Sequence, residues 1–346
     1  MATSRDLVKK TLEFKNPERI PRQLWALPWA EIHHGEYLKK IKEDFPDDIV
    51  QVPMGSFITA EGFTARLGDP EGDPYEIGTY LDVWGCRFIN WQRGVIGEVK
   101  EPLIKDEEWI DDSNLKLPEG TITIDKNKIN EFCRDTDKFI IAGDWPRPFE
   151  RLQFIRGTER LFVDLMLNPR RMYSTFERVH DFYCRQMKAW CETEVDGVWF
   201  MDDWGSQKNL LINPNIWLKI FKPMYKDYVD IAHKHGKKIF MHSDGYIIDI
   251  LQYLIELGID AINSQIFCMG LENLKKYKGS ITFWGEIDRQ HLLPKGSRTD
   301  IENAVRRIKK NLWDKGGCIA QCEFGPGGNP ENIYKVFETW SEKLSV

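Results

Sequence analysis

Short apolar runs recur along the chain, and each one ends in polar residues and is followed by a stretch with helical periodicity. The runs are rich in β-branched and aromatic residues, a composition typical of strands. Eight of them can be distinguished, at residues 22–27, 48–53, 138–144, 197–203, 238–244, 260–265, 281–286 and 318–324. Strands that alternate with helices indicate βαβ units and a parallel sheet.

Eight units of this size favour an α/β fold closed into a (β/α)8 TIM barrel. An open, Rossmann-like sheet is the alternative, but no G-x-G-x-x-G motif follows the first strand. We therefore expect a single barrel domain over residues 1–346.

One segment does not fit the repeat. Residues from about 55 to 137, between the second and third predicted strands, are rich in Gly, Asp and Pro. Within them, YLDVWGCRFINW and GVIGEVKEP predict a β-hairpin beside the barrel mouth. Long loops in compact domains are usually functional, so we treat this segment as an insertion and a candidate lid.

Composition excludes several classes of protein. The 42% of hydrophobic and 12% of aromatic residues suffice for a large core. The net charge of −6, without a basic stripe, argues against nucleic acid as a partner. No run approaches the roughly 18 apolar residues that a membrane span needs, and seven cysteines without a CxxC pair argue against a disulfide framework. We expect a soluble, cytoplasmic enzyme.

The carboxyl ends of barrel strands form the face on which active sites lie. Polar residues are dense at these ends: Asp144, Asp202, Asp203, His242, Asp244, Gln265, Glu286, Cys322 and Glu323. Any one of them could be polar only because a loop begins there. Convergence of the whole set by chance is less common.

Three of these residues suggest a metal site. His242 and Asp244 are two positions apart on one strand and point the same way, and Cys322 on the last strand could meet them across the mouth. Imidazole, carboxylate and thiolate are usual zinc ligands, and three of them with an open position describe a catalytic site. The alternative is that the His and the Cys are ordinary core residues.

The segments NPERIP, MHSDG and IAQCEFGPGGNPENI resemble the uroporphyrinogen decarboxylase superfamily along nearly the whole chain. Their pattern is most similar to the methylcobalamin:coenzyme M methyltransferases, in which a His-x-Cys pair and a distant Cys bind zinc. The resemblance implies that His242 and Cys322 are zinc ligands. Asp244 stands where the family has its first Cys, which would make the zinc harder. Glu286 is the candidate for a further ligand.

One motif of the decarboxylases is missing from this chain. Where the decarboxylases carry an arginine-rich motif after the first strand, this chain has LWALPWAEIHH, so we do not expect decarboxylation of a porphyrinogen. Trp25 and Trp84 could instead wall an apolar or aromatic pocket, although each could equally be a core residue.

The segment from Asp202 to Gln207 lies at a strand end that the family uses for substrate or ligand contacts. Adjacent carboxylates can raise one pKa and create a proton donor, or one of them can simply cap the next helix. The expected catalytic residues are Asp202, Asp203 and Glu286. The expected substrate-binding residues are Asp144, Gln207, Gln265, Trp25 and Trp84.

The leading hypothesis is a zinc-dependent methyltransferase that moves a methyl group between a small substrate and a corrinoid (cobalamin). The corrinoid would be carried by a partner protein, because the chain has no DxHxxG-like signature. A lyase or decarboxylase acting on a small carboxylate is one alternative. A retaining glycoside hydrolase using Asp203 and Glu286 is another, and a non-enzymatic binding role is the last.

Overall fold

All eight predicted runs contain a strand of the barrel in the computed structural model, which describes residues 2–53, 55, 57–59, 71–105, 109 and 115–342. The strands are β1 (Arg22–Ala26), β2 (Ile49–Gln51), β3 (Gly78–Leu81), β4 (Arg87–Asn90), β5 (Glu98–Glu101), β6 (Phe139–Ile141), β7 (Gly197–Met201), β8 (Lys238–Ser243), β9 (Ala261–Ser264), β10 (Thr282–Trp284) and β11 (Cys318–Phe324).

Eight of these strands form one parallel sheet in the order β1-β11-β10-β9-β8-β7-β6-β2. The two end strands also meet, because the backbone N–H of Asp48 donates to the carbonyl of Arg22 over 2.8 Å. The sheet is thereby a nearly closed barrel, and the predicted (β/α)8 fold is confirmed.

Helices surround the barrel and connect its strands. They are α1 (Ser4–Leu12), α2 (Pro28–Asp44), α3 (Lys126–Arg134), α4 (Pro148–Arg156), α5 (Thr158–Leu167), α6 (Met172–Cys191), α7 (Pro214–Lys234), α8 (Ile248–Leu257), α9 (Ile266–Met269), α10 (Leu271–Leu274), α11 (Leu292–Lys295), α12 (Arg298–Leu312) and α13 (Pro330–Ser341). Asn213 and Asn329 cap α7 and α13, each before a proline in the first turn. None of the described helices is both long and apolar enough to cross a membrane.

Strand alternation divides the core into two layers. Side chains inside the barrel form one cluster that includes Trp199 on β7, Phe240 on β8, Trp284 on β10 and Ile319 on β11. The residues between them along each strand pack outward against the helices in a second, larger cluster. This alternation decides which strand-end residues reach the barrel mouth.

The insertion contains a separate three-stranded antiparallel sheet of β3, β4 and β5, so the predicted hairpin is present. Its β4–β5 turn reaches the start of α2, where the N–H of Trp29 donates to the carbonyl of Gly94 over 3.2 Å. Parts of the predicted insertion, residues 56, 60–70, 106–108 and 110–114, lie outside the described residues. The role of the insertion as a lid stays a prediction.

Candidate active site at the barrel mouth

His242 is the residue around which the candidate site is built. It lies near the carboxyl end of β8, and its Nδ1 is 2.6 Å from Oδ1 of Asn263 on β9. The side-chain amide of Asn263 is oriented by its Nδ2–H, which donates to the backbone carbonyl of Trp284. Because an amide oxygen only accepts, Nδ1 of His242 carries a hydrogen and Nε2 is left for other contacts.

Two carboxylates face Nε2 of His242. Oδ1 of Asp203 is 3.5 Å from it and Oδ1 of Asp244 is 3.7 Å from it. The backbone N–H of Asp244 also donates to Oδ1 of Asp203 over 2.9 Å, which joins the ends of β7 and β8. One ligand atom from each of the three residues lies within 4.8 Å of the others, so the group is small enough to hold one metal ion.

The electrostatics of the group favour positive charge. Burial disfavours the charged imidazole, but the carboxylates of Asp203, Asp244 and Glu286 outweigh it and raise the pKa of His242 to about 10. Without a cation, this histidine is therefore protonated at neutral pH. A metal ion must displace that proton in order to bind Nε2.

Glu286, which follows β10, is buried beside this group. Neither of its carboxylate oxygens has a hydrogen-bond partner among the described residues, and the same is true of Oδ1 of Asp244. Burial, helped by Asp244 and Glu323 and opposed by Arg289, raises the pKa of Glu286 to about 8. Buried carboxylate oxygens without partners are costly, and a divalent cation bound by oxygen and imidazole ligands would satisfy them.

Cys322, which was predicted to be a metal ligand, is not brought into this group. On β11, Ile319 lies in the cluster inside the barrel, whereas Cys322 packs in the outer cluster against the helices. Burial raises the pKa of its thiol well above the usual value. Its neighbour Glu323 faces inward instead, with Oε1 only 3.1 Å from Nη1 of Arg289. The group of Asp203, His242 and Asp244 therefore offers one imidazole and two carboxylates and no thiolate.

Asp202 was expected to be catalytic, but it points away from the mouth. Its Oδ2 accepts from the hydroxyl of Tyr225 on α7 over 2.6 Å, and its Oδ1 accepts from the backbone N–H of Glu150 on α4 over 2.8 Å. Tyr225 in turn accepts from Nε1 of Trp204 over 2.7 Å. This fully buried network connects α4, α7 and the end of β7, which is a structural role.

Trp84 was expected to line the substrate pocket, and it lies elsewhere too. It occupies the β3–β4 turn, with its ring 4.9 Å from that of Phe182 and 5.6 Å from that of Tyr183 on α6. The guanidinium of Arg151 lies 4.6 Å from its ring centre. Trp84 therefore anchors the insertion to the helical layer.

The remaining predicted substrate residues stay near the mouth. The ring of Trp25 is 5.4 Å from that of His242. Gln207 and Gln265 are joined by a hydrogen bond of 3.3 Å, and with Glu286 they line a cavity of about 190 Å³, which we call the glutamine cavity. Asp144 lies half-buried in the turn after β6.

A second group of possible ligands lies outside the barrel, between α6 and α7. Nε2 of His180 is 2.9 Å from Oδ2 of Asp227, its Nδ1 is 3.1 Å from the hydroxyl of Tyr228, and Cys184 lies beside the ring. Both ring nitrogens are thus already engaged in contacts between two helices. We interpret this group as a helix–helix contact.

Comparison with known proteins agrees with this architecture. A profile of the family described as uroporphyrinogen decarboxylase (URO-D) matches residues 74–342. The chain belongs to the uroporphyrinogen decarboxylase family. No curated protein sequence matches this family member.

Among solved structures, this URO-D family member is similar to a methyltransferase from Methanosarcina mazei, with a TM-score of 0.69, 12% identity and 99% coverage of both chains. A 3-keto-D-glucoside 4-epimerase from E. coli gives a TM-score of 0.39 at 12% identity, over 62% of this chain and 82% of that one. The first likeness supports the barrel fold, and the second is too low to carry an argument.

Sequence reasoning missed two residues of this family member's mouth, Asn263 and Arg289, and it gave no role to Glu323, which it had named only as a polar strand end. Asn263 could not be recognised from the sequence, because it is a strand residue whose role is to orient His242. Arg289 could not be recognised because it lies in a loop. The inward direction of Glu323 could have been predicted, because Gln321 and Glu323 alternate with the apolar residues of β11 and so indicate its inner face.

Proposed function

We propose that this chain is a metal-dependent methyltransferase that moves a methyl group between a small substrate and a corrinoid carried by a partner protein. The observation that supports it most is the group of Asp203, His242 and Asp244 beside Glu286, with buried oxygens that lack partners. Family membership and the fold shared with a methyltransferase agree with it.

A divalent cation, with zinc as our first candidate, would act as a Lewis acid toward a substrate oxygen, nitrogen or sulfur. His242, Asp203 and Asp244 would hold it, and Glu286 is the candidate for a fourth ligand. The absence of Cys322 from this set makes the centre harder than a thiolate site, which favours an oxygen or nitrogen atom over a thiol.

The chain's own residues supply the rest. Asn263 holds Nδ1 of His242, so that Nε2 keeps its direction. The glutamine cavity, next to Glu286, has the size for a small substrate and is lined by two amide side chains that can donate and accept. Trp25 covers the histidine from the barrel side.

We assign the role of proton donor to Glu286. In the direction toward the corrinoid, the methyl group would leave the substrate heteroatom, and a reduced corrinoid on the partner would supply the electron pair for the new bond to carbon. The heteroatom leaves with an electron pair and needs a proton. Burial raises the pKa of Glu286 in the metal-free protein, and this carboxyl group is the candidate proton donor where it is not a ligand of the cation.

The test is metal content and methyl transfer in the same preparations. We expect near-stoichiometric divalent metal in the wild type, measured by elemental analysis, and reaction of a methyl donor with free reduced cobalamin, followed by its visible absorption. His242→Ala should lose both. Cys322→Ala is the matched control and should keep the metal, because its thiol faces the helices.

Loss of metal from Cys322→Ala but not from His242→Ala would contradict this assignment of ligands. A wild type that takes up no divalent cation would favour the second candidate, a lyase acting on a small carboxylate. Arg289 supports that candidate, because its guanidinium lines a cavity on either side and can pair with a carboxylate.

A further inference from the structure

Arg289 joins three strand ends at the barrel mouth. It lies in the loop after β10, and its Nη2 pairs with Oδ2 of Asp244. Its Nη1 is 3.1 Å from Oε1 of Glu323 and 3.8 Å from Oε1 of Glu286. The guanidinium is therefore held between side chains that follow or end β8, β10 and β11.

The two oxygens of Asp244 have different surroundings. Oδ2 is bound by Arg289, whereas Oδ1 has no hydrogen-bond partner and lies 3.7 Å from Nε2 of His242. A carboxylate is rigid and planar, so a bond that fixes one oxygen also fixes the direction of the other. Arg289 thereby directs the free oxygen of Asp244 toward the imidazole.

We propose that Arg289 is a positioning residue for the metal centre, acting through Asp244. The proposal rests on the cation binding of the proposed function. Groups that hold a metal ligand from behind orient it for the ion, and their removal typically weakens metal affinity by about 10- to 100-fold. Arg289 contacts Asp244 through Nη2 and Glu323 through Nη1, and a lysine cannot reproduce these two directions of the planar fork.

The sign of the effect separates positioning from simple charge. A guanidinium near the site repels a divalent cation, so removing its charge alone would tighten metal binding. If Arg289 instead orients Asp244, its removal weakens binding despite the lost repulsion. The two explanations predict changes in opposite directions.

The experiment measures zinc affinity of the chelator-treated protein by competition with a chromophoric chelator at constant pH. We expect Arg289→Met to bind zinc about 10- to 100-fold more weakly than the wild type, and Arg289→Lys to fall between them. Arg298→Met is the matched control, because Arg298 is 72% exposed and pairs with Glu338 on α13. It should bind zinc as the wild type does.

A second measurement tests the route through Asp244. In an Asp244→Asn background, Arg289→Met should cause little further loss of zinc affinity, because the oxygen that it orients is no longer a carboxylate. Additive losses would mean that Arg289 acts by another route and would overturn the proposal. If Arg289→Met does not fold, as judged by circular dichroism, the Lys variant in both backgrounds decides the question.

Unchanged or tighter zinc binding in the folded Arg289 variants, with normal binding by the wild type, would overturn the positioning role alone. Absence of zinc binding in the wild type would overturn the metal centre of the proposed function and the role of Arg289 with it. The two failures are therefore distinguishable.

Discussion

The surroundings of Glu286 disfavour a negative charge on its carboxyl group. Its carboxyl group is buried, its oxygens have no hydrogen-bond partner among the described residues, and its pKa is raised from 4.5 to about 8. Between these two pH values the folded protein keeps a proton that the unfolded chain has lost. Unfolding then releases a proton, so stability falls as the pH rises through this range.

The residue-scale prediction is a change in this pH dependence. For metal-free protein, we expect Glu286→Gln to lessen the loss of thermal stability between about pH 5 and pH 8, because a neutral amide has no charge to bury. The measurement is the melting temperature across that range after chelator treatment. Glu159→Gln, at an exposed position on α5, should leave the profile unchanged. An unaltered slope in Glu286→Gln would contradict the raised pKa.

At the residue scale, sequence reasoning placed His242, Asp203, Asp244 and Glu286 near one another because the ends of parallel strands meet at one edge of a barrel. On β11 it chose Cys322, whereas Glu323, one position further and therefore on the other face of the strand, is the residue that contacts Arg289. The resemblance favoured the cysteine, whereas the alternation of polar residues on this strand favoured the glutamate.

At the scale of elements, the predicted strands were correct in number and order, but several were too long at their carboxyl ends. Residues 138–144 were predicted as a strand, and β6 covers only Phe139–Ile141. The chain then turns toward α4, where Pro146 and Pro148 prevent continuation of the ladder. Hydrophobicity alone does not mark that turn, because the residues before it are still buried.

The buried network of Asp202 gives the element-scale prediction. Asp202→Ala removes the acceptor for Tyr225 and for the first turn of α4, so two buried donors lose their partner. We expect a loss of about 2 to 4 kcal/mol in the free energy of unfolding, from roughly 1 to 3 kcal/mol for each unsatisfied group and some relaxation. Chemical denaturation measures this loss, and zinc affinity should be unchanged.

Asp203→Ala is the contrasting variant on the next residue. Because Asp203 faces His242, it should lose zinc affinity, with a smaller change in stability. A loss of zinc in Asp202→Ala, with normal stability, would restore the catalytic role that the sequence suggested for that residue.

At the scale of the whole molecule, the βα repeat explains the barrel, whereas the attachment of the insertion depends on long-range contacts. The guanidinium of Arg151 on α4 pairs with Asp82 of the insertion over 2.6 Å and lies over the ring of Trp84. Arg151 and Asp82 are 69 positions apart in the sequence, and no local pattern connects them. The hairpin was predictable from its alternation, but its docking site was not.

The docking contact predicts a specific pattern of energies. Arg151→Met leaves Asp82 buried without its counter-ion, which for a buried pair typically costs about 3 to 5 kcal/mol of stability. Adding Asp82→Asn removes the stranded charge, so the double variant should be more stable than Arg151→Met alone. Chemical denaturation of both variants measures this coupling, and Arg298→Met provides the exposed-arginine control.

The same variants test whether the insertion acts as a lid. Because the contact lies away from His242, the zinc affinity of Arg151→Met should stay normal. If the insertion is a lid, the rate of methyl transfer should fall. A rate unaffected by loosening of this contact would mean that the insertion is only a structural attachment.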